Sequence, residues 1–254
     1  MDVRSRIIGY LSSSLLVLAC AASAATPEDW QDRMIRQSNT YLDSHPDQRL
    51  RKQGLNALKA GRYEEAVRSF TRAAGYADKA SQVMLAEMYW DGHGVPQDRA
   101  LAYAWMDLAA ERGGQGVLAR REHYWAALGP AERTRAVSLG KPLYARYADD
   151  VAQPRLERNM RATRQQVTGS HAGYVGDVTV CIRKEQVVHQ NAIIADTCRN
   201  GASGEAFFAD RLWEPARYWA RQDELLQAAL SPRVDVGPPN ATAAPSSPGD
   251  RTAR

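Results

Sequence analysis

Apolar residues between positions 75 and 113 recur at steps of three and four, a spacing that places side chains on one face of an α-helix. One stripe precedes Gly92 and a second follows Asp98. The stripes are Ser81, Met84, Leu85, Met88 and Tyr89, and then Ala102, Trp105, Ala109 and Ala110. Glycine allows the left-handed conformation that ends a helix, whereas Pro96 and Asp98 suit a new helix start. The pattern therefore predicts an antiparallel helical hairpin.

This segment also carries a motif that resembles one full Sel-one-like repeat. The matching positions are Leu85, Ala86, Met88, Tyr89, Gly92, Gly94, Val95, Pro96, Asp98, Ala102, Trp105, Ala109, Ala110 and Gly113. Ser81 stands where that family usually has alanine. The family is related to the tetratricopeptide repeats, and its units stack into right-handed α-solenoids. Because such solenoids serve as binding surfaces in secreted bacterial proteins and endoplasmic-reticulum adaptors, the resemblance implies a protein-binding scaffold.

Two further hairpins are expected beside this one. Residues 59–66, with Phe70 and Ala73, resemble the middle of a tetratricopeptide repeat, in which a glycine turn, here Gly61, leads into a helix. Residues 46–75 are therefore expected to form a helical hairpin. Residues 117–139 predict a degenerate third hairpin that turns at Gly129. Its two stripes are Val117, Leu118, Tyr124, Trp125 and Leu128, and Ala136, Val137 and Leu139. Three stacked hairpins are about the minimum that a solenoid needs. A separate capped helix is expected from Thr26 to about Asp43.

The periodicity changes after residue 150. Residues 152–167 predict a basic helix with Arg155, Arg158, Arg161 and Arg164 at steps of three. This row is either a solvated face or a contact for an anionic partner. Alternation with period two then predicts strands over 178–182 and 187–194. Several aromatic residues follow, and we expect them to dock the strands and a last helix, residues 215–230, against the solenoid. The alternative is an exposed binding patch. They are Phe207, Phe208, Trp213, Tyr218 and Trp219.

The predicted fold class is mainly α: a short α-solenoid of stacked hairpins, a small β-containing C-terminal module and a terminal helix. Residues 1–25 form a signal peptide, 26–150 the repeats, and 151–230 the C-terminal module. Residues 231–254 are rich in proline, alanine, serine and glycine, so this tail is expected to be disordered.

The first 25 residues have the organisation of an export signal. A basic start is followed by an apolar run from Ile7 to Leu18 and by small residues that end at Ala24. Cleavage after residue 24 or 25 predicts a periplasmic or secreted protein. The alternative is a lipoprotein whose first residue is an acylated Cys20. No later segment is apolar enough to be expected to cross a membrane.

Cleavage would leave two cysteines, Cys181 and Cys198, in an oxidising compartment, where a pair favours one disulfide. The alternative is a zinc site formed by both cysteines with His171 and His189. The spacing of these four residues lacks the close ligand pairs of zinc fingers, so the disulfide is favoured and no metal site is predicted.

The sequence shows no catalytic constellation, so no catalytic residue or cofactor is predicted. The formal net charge is +4, but the basic residues are interleaved with acids, which argues against a nucleic-acid groove. The expected function is an exported, non-enzymatic scaffold that binds a protein or an envelope component; the alternative is an envelope hydrolase with a site in the C-terminal module. Gln82, Glu87 and Trp90 fall opposite the apolar stripe and are the predicted binding residues. For Trp90, packing against the adjacent hairpin is the alternative.

Overall fold

The structure is a computed structural model and describes residues 30–168, 179–189 and 192–231. Nine α-helices and one short 3-10 helix (Ala110–Arg112) precede a two-stranded antiparallel sheet in the described part of the chain, and three α-helices follow it. The first nine are α1 (Trp30–Gln37), α2 (Asn39–Ser44), α3 (Pro46–Lys59), α4 (Tyr63–Ala74), α5 (Lys79–Asp91), α6 (Arg99–Ala109), α7 (Gln115–Ala127), α8 (Pro130–Tyr147) and α9 (Asp149–Thr168). The sheet comprises β1 (Thr179–His189) and β2 (Ala192–Ser203), followed by α10 (Gly204–Phe207), α11 (Asp210–Trp213) and α12 (Pro215–Leu230). The predicted mainly α class is confirmed.

Local chemistry sets the bounds of the hairpin α5–α6. The Asp78 carboxylate accepts from the amide of Ser81 at 3.0 Å, and Asp98 accepts from the amide of Leu101 at the same distance. Gly92 ends α5 in the left-handed conformation with φ of 72°. Side-chain caps and a left-handed glycine satisfy backbone groups that have no partner inside the helix.

The apolar stripes of the repeat form its core. Most signature residues of α5 and α6 are buried, and Trp105, 4% exposed, lies 5.0 Å from the ring of Tyr147 between centroids. Gly94 has φ of 72°, and a Cβ atom there would lie 1.9 Å from the Cβ atom of Tyr63. The hairpin α3–α4 therefore approaches the loop of α5–α6 at a position where only glycine fits.

A single N-terminal helix was expected, but the structure has two, because the helix is interrupted at Ser38. The serine side chain accepts from the amide of Tyr41 at 3.2 Å and donates to the carbonyl of Ile35 at 2.6 Å. Serine competes in this way with the helical backbone, and a new helix starts after it. The expected start at Thr26 lies outside the described residues.

The third hairpin also differs from its prediction. Helices α7 and α8 follow each other across Leu128 and Gly129, but α8 packs mainly along α6. Ala136 is buried as expected, whereas Val137 is 56% exposed. The stripe of α8 packs mainly against α6, and only its first part meets Trp125 and Leu128 at the end of α7. The period of the sequence does not show which helix a stripe will contact.

The predicted strands have the right type but different bounds. β1 continues to His189 and β2 starts at Ala192, so residues 187–194 span the end of one strand and the start of the next. In the register of this pair, Cys181 lies opposite Gly201 and Cys198 lies opposite Lys184. The two cysteines are thus on adjacent strands, and the side chain of Cys198 lies outside the described residues.

The aromatic residues after the sheet are buried in a second core with residues of α1, α2 and α9. The Trp213 indole donates to the Phe207 carbonyl at 2.6 Å, and the rings of Tyr41 and Trp213 meet edge to face at 5.8 Å. Helix α12 leaves this core and runs to α7, where the Gln227 side chain accepts from the amide of Gly116 at 3.0 Å. The terminal helix therefore connects the two cores.

Two ionisable side chains are completely buried beneath α12. The Tyr218 hydroxyl donates to Oδ2 of Asp47, and within the described residues Oδ1 has no hydrogen-bond partner. Nδ1 of His45 lies 2.9 Å from the Tyr41 carbonyl, so Nδ1 carries the proton, because a carbonyl only accepts. Burial, helped by the negative charge of Asp78, raises the pKa of Asp47 to about 7, and burial lowers that of His45 to about 4.

Candidate partner-binding groove

The three predicted binding residues lie on α5 but are not equally accessible. Gln82 is fully buried, and its amide donates to the carbonyl of Tyr147 at 3.3 Å. Glu87 is half-buried and pairs with Arg120 of α7. Burial raises its pKa, an effect that the charge of Arg120 opposes. Gln82 therefore offers no surface to a partner, and the binding role of Glu87 stays a prediction.

Trp90 is half-buried between neighbouring elements. Its ring stacks on Tyr124 of α7 with 3.9 Å between centroids and 12° between planes. The guanidinium of Arg99 lies over the ring at 4.6 Å from its centroid. These contacts match packing against the adjacent hairpin, so any contact of Trp90 with a partner would use only its remaining exposed edge.

An open groove lies on the other side of the repeat, between α6 and α8. We name it the aromatic groove, and its volume is about 320 Å³. It is lined by Tyr103, Ala104, Asp107, Trp125, Ala136, Val137, Gly140, Lys141 and Tyr144. Ligand sites commonly have volumes of about 300–1,000 Å³, mostly apolar linings and a few polar groups, which is the composition seen here.

Small residues open this groove. Along α8, Ala136, Gly140 and Tyr144 follow at steps of four, so they lie on one face of the helix. A Cβ atom at Gly140 would have no neighbour within 4 Å. Ala104 faces them from α6. The floor is therefore shallow and apolar, and it leaves room for a side chain of a partner.

Aromatic side chains form the walls. The rings of Tyr103 and Trp125 lie 4.8 Å apart between centroids, and the Arg133 guanidinium lies over the Trp125 ring at 5.0 Å. Val137 adds an exposed methyl pair beside them. Half-buried aromatic residues are common anchors at protein interfaces because they give large contact areas at a small cost in conformational entropy.

The polar groups of the groove stand at its edges. The Tyr144 hydroxyl donates to the carbonyl of Asp107 at 3.1 Å and lies 3.2 Å from its Oδ2 atom. Burial, with the negative charge of Asp107 second, raises the pKa of Tyr144, so this hydroxyl stays a donor. Lys141 is exposed and has no ion-pair partner in the part of the chain that the structure describes. The groove can thus pair with an acid beside an apolar anchor.

Sequence reasoning placed Trp125 and Val137 in a hairpin stripe and did not identify the groove. The local signal that could have found it is the small-residue spacing of Ala136 and Gly140 on an otherwise long helix. The walls come from three helices, however, and their approach depends on α8 packing along α6. That choice is tertiary, so the groove had no complete signature in the sequence.

The alternative metal site falls mainly outside the described residues. His171 lies there, as do the side chains of His189 and Cys198. Within the described residues, no three or more histidine, cysteine, aspartate or glutamate side chains are arranged to hold a metal ion. The expected signal peptide and Cys20 are also outside the described range. Among the helices that are described, none is both long and apolar enough to cross a bilayer.

Comparison with known proteins finds a Sel1 repeat at residues 79–114. The match covers α5, the glycine loop, α6 and the short turn after it, which is the hairpin whose stripes form the main core. No curated protein and no solved structure matches the chain. Sel1 repeats mediate protein interactions, and proteins built from them are generally non-catalytic.

Proposed function

We propose that this chain is an exported, non-enzymatic scaffold of the bacterial cell envelope that binds a partner protein through the aromatic groove. The groove is the observation that carries the proposal. It combines half-buried aromatic walls, an open apolar floor and an exposed lysine beside a Sel1 repeat. Residues 26–150 would form the repeat unit and 151–230 the C-terminal module, with 231–254 as a tail.

Photo-crosslinking tests the groove directly. A photoreactive phenylalanine in place of Val137 points from an exposed position into the groove. The matched control places the same residue at Ser138, which is also exposed and is the next position of the helix but does not line the groove. We expect a discrete crosslinked protein from Val137 alone. Equal crosslinking from both positions, or none from Val137, would contradict the proposal.

A groove-filling variant gives a second readout. Gly140→Leu adds a side chain where the groove has open space, and leucine favours a helix more than glycine does. The protein should therefore stay folded while the partner captured from Val137 is lost. Ser138→Leu should retain that partner. If Gly140→Leu also retains it, the partner does not use the floor of the groove.

Export is proposed from the N-terminal signal. N-terminal sequencing of the mature protein checks it, and we expect a chain that starts at Ala25 or Thr26. A blocked, lipid-bearing Cys20 would show the lipoprotein alternative. Recovery of an intact Met1 in the cytoplasm would exclude both forms of export.

A further inference from the structure

A second opening, of about 500 Å³, lies at the N-terminal end of the chain between α3 and the two short helices before it. We name it the basic cleft. Its open wall is one face of α3, where Lys52, Leu55 and Lys59 follow at helical steps. The opposite face, which includes Leu50 and Ala57, is buried. The fold therefore uses one face of α3 for its core and leaves the other uncovered.

The basic cleft has an excess of positive charge. Lys52 and Lys59 are exposed, and neither has an ion-pair partner among the described residues. Arg51 also lines the cleft, although its guanidinium is held by Asp78 and by Gln222 at 3.2 Å. No acidic residue within the described ranges lines this cleft. An anionic group would consequently meet attraction from several side chains and repulsion from none of the lining ones.

We propose that the basic cleft binds an acidic peptide segment in the polyproline II conformation, with carboxylates three residues apart on Lys52 and Lys59 and an apolar side chain between them near Leu55. Lys52 and Lys59 are seven helical steps apart, which corresponds to about 10 Å along α3. A polyproline II segment has three residues per turn and rises about 3 Å per residue, so side chains three residues apart lie on the same side and about 9 Å apart. Leu55, 36% exposed, lies between the two positive charges. The distance between the two lysines therefore sets the distance between the two carboxylates of the peptide.

The chemistry of the open wall favours a peptide over a phosphate polymer or a lipid surface. Asn56 adds an amide that can donate to a peptide carbonyl and accept from a peptide amide. Phosphate recognition instead favours bidentate arginine, and Arg51 is already engaged. The basic cleft shares no lining residue with the aromatic groove, so this inference goes beyond the proposed function and does not depend on it.

Fluorescence anisotropy on the mature full chain tests the cleft. The probe is the fluorescein-labelled peptide Gly-Ser-Glu-Leu-Val-Glu-Gly-Ser, and its partner probe carries glutamine at both glutamate positions. The variant is Lys52→Glu with Lys59→Glu. The matched control, Arg68→Glu with Arg72→Glu, makes the same change of charge at exposed positions of α4 outside the cleft. Circular dichroism checks that both variants remain helical.

We expect the acidic peptide to bind, the neutral peptide to bind at least about tenfold more weakly, and added salt to weaken the complex. The cleft variant should lose about tenfold or more in affinity, whereas the control should stay near the wild-type value. Equal loss in both variants would overturn the proposal, because it would show nonspecific charge attraction. So would equal binding of the two peptides, no binding of the acidic peptide, or preferential binding of phosphatidylglycerol vesicles through the same lysines.

Discussion

Replacing Asp47 by asparagine should change how the stability of the protein depends on pH. The carboxyl group is 0% exposed and its pKa is about 7 in the folded state, against an ordinary value of 3.8. Between these values the folded protein holds a proton that the unfolded chain releases. The free energy of unfolding therefore falls as pH rises from about 4 to 7. At about 1.4 kcal/mol per pH unit, the contribution of Asp47 falls by about 4 kcal/mol across this window.

His45 titrates in the opposite sense. Its pKa is about 4 in the folded state and 6.5 ordinarily, so the unfolded chain binds the additional proton between these values. Its contribution rises by about 3 kcal/mol as pH rises from about 4 to 6.5. The two groups nearly cancel in the wild type, because their windows overlap and their slopes have opposite sign. Replacing one of the two groups should therefore reveal the pH dependence that the other contributes to the free energy of unfolding.

Urea unfolding followed by tryptophan fluorescence, repeated at constant ionic strength from about pH 4 to pH 8, measures this difference. Relative to wild type, the free energy of unfolding of Asp47→Asn should increase by about 4 kcal/mol as pH rises from about 4 to 7. His45→Gln should instead lose relative stability as pH rises. Ser138→Ala, at an exposed position without a titratable side chain, is the control, and its stability should run parallel to that of wild type. A parallel curve for Asp47→Asn would refute the reasoning.

Three further outcomes are expected, two from the structure and one from the sequence. Trp105→Ala should lower the free energy of unfolding by about 3–5 kcal/mol in the same assay, because it removes a buried ring from the repeat core. An unchanged urea midpoint would contradict the placement of Trp105 in that core. Gly94→Ala should destabilise more than Gly61→Ala, since both have φ of 72° but only the former would clash with a neighbour; equal losses would mean that strain alone matters. Cys181 and Cys198 should be linked, so thiol counting on denatured, unreduced protein should find neither free, and two free thiols would exclude the link.

The parts of the fold that sequence reasoning predicted are those fixed by near neighbours in the chain. Gly92, Asp98 and the stripe around Leu85 define the repeat hairpin through caps and a period of 3.6, and both are local properties. The alternation around Val180 likewise predicted a strand. Ser38 carried a local signal for a helix break as well, but it competed with a longer apolar pattern around it.

The features that sequence reasoning missed depend on which helices pack against each other. Gln82 is a polar residue opposite the apolar stripe, and it is buried only because the end of α8 covers it. Asp47 occupies the first turn of α3, where an acid is expected for its effect on the helix dipole. Its burial results from Tyr218, which is 171 residues away in sequence. No window of neighbouring residues contains that information.

The position of α12 explains why the two candidate surfaces lie where they do. Arg112, in the short turn that closes the repeat, binds Asp149 of α9 at 2.6 Å and Asp223 of α12 at 3.0 Å, and its guanidinium lies over the Trp219 ring. Together with the Gln227 contact to α7, this network holds the terminal helix across the first helices of the stacked hairpins. A partner that used that face would have to displace buried aromatic residues. The aromatic groove between the second helices and the free face of α3 are not covered by α12, so a partner can reach them without unfolding the C-terminal module.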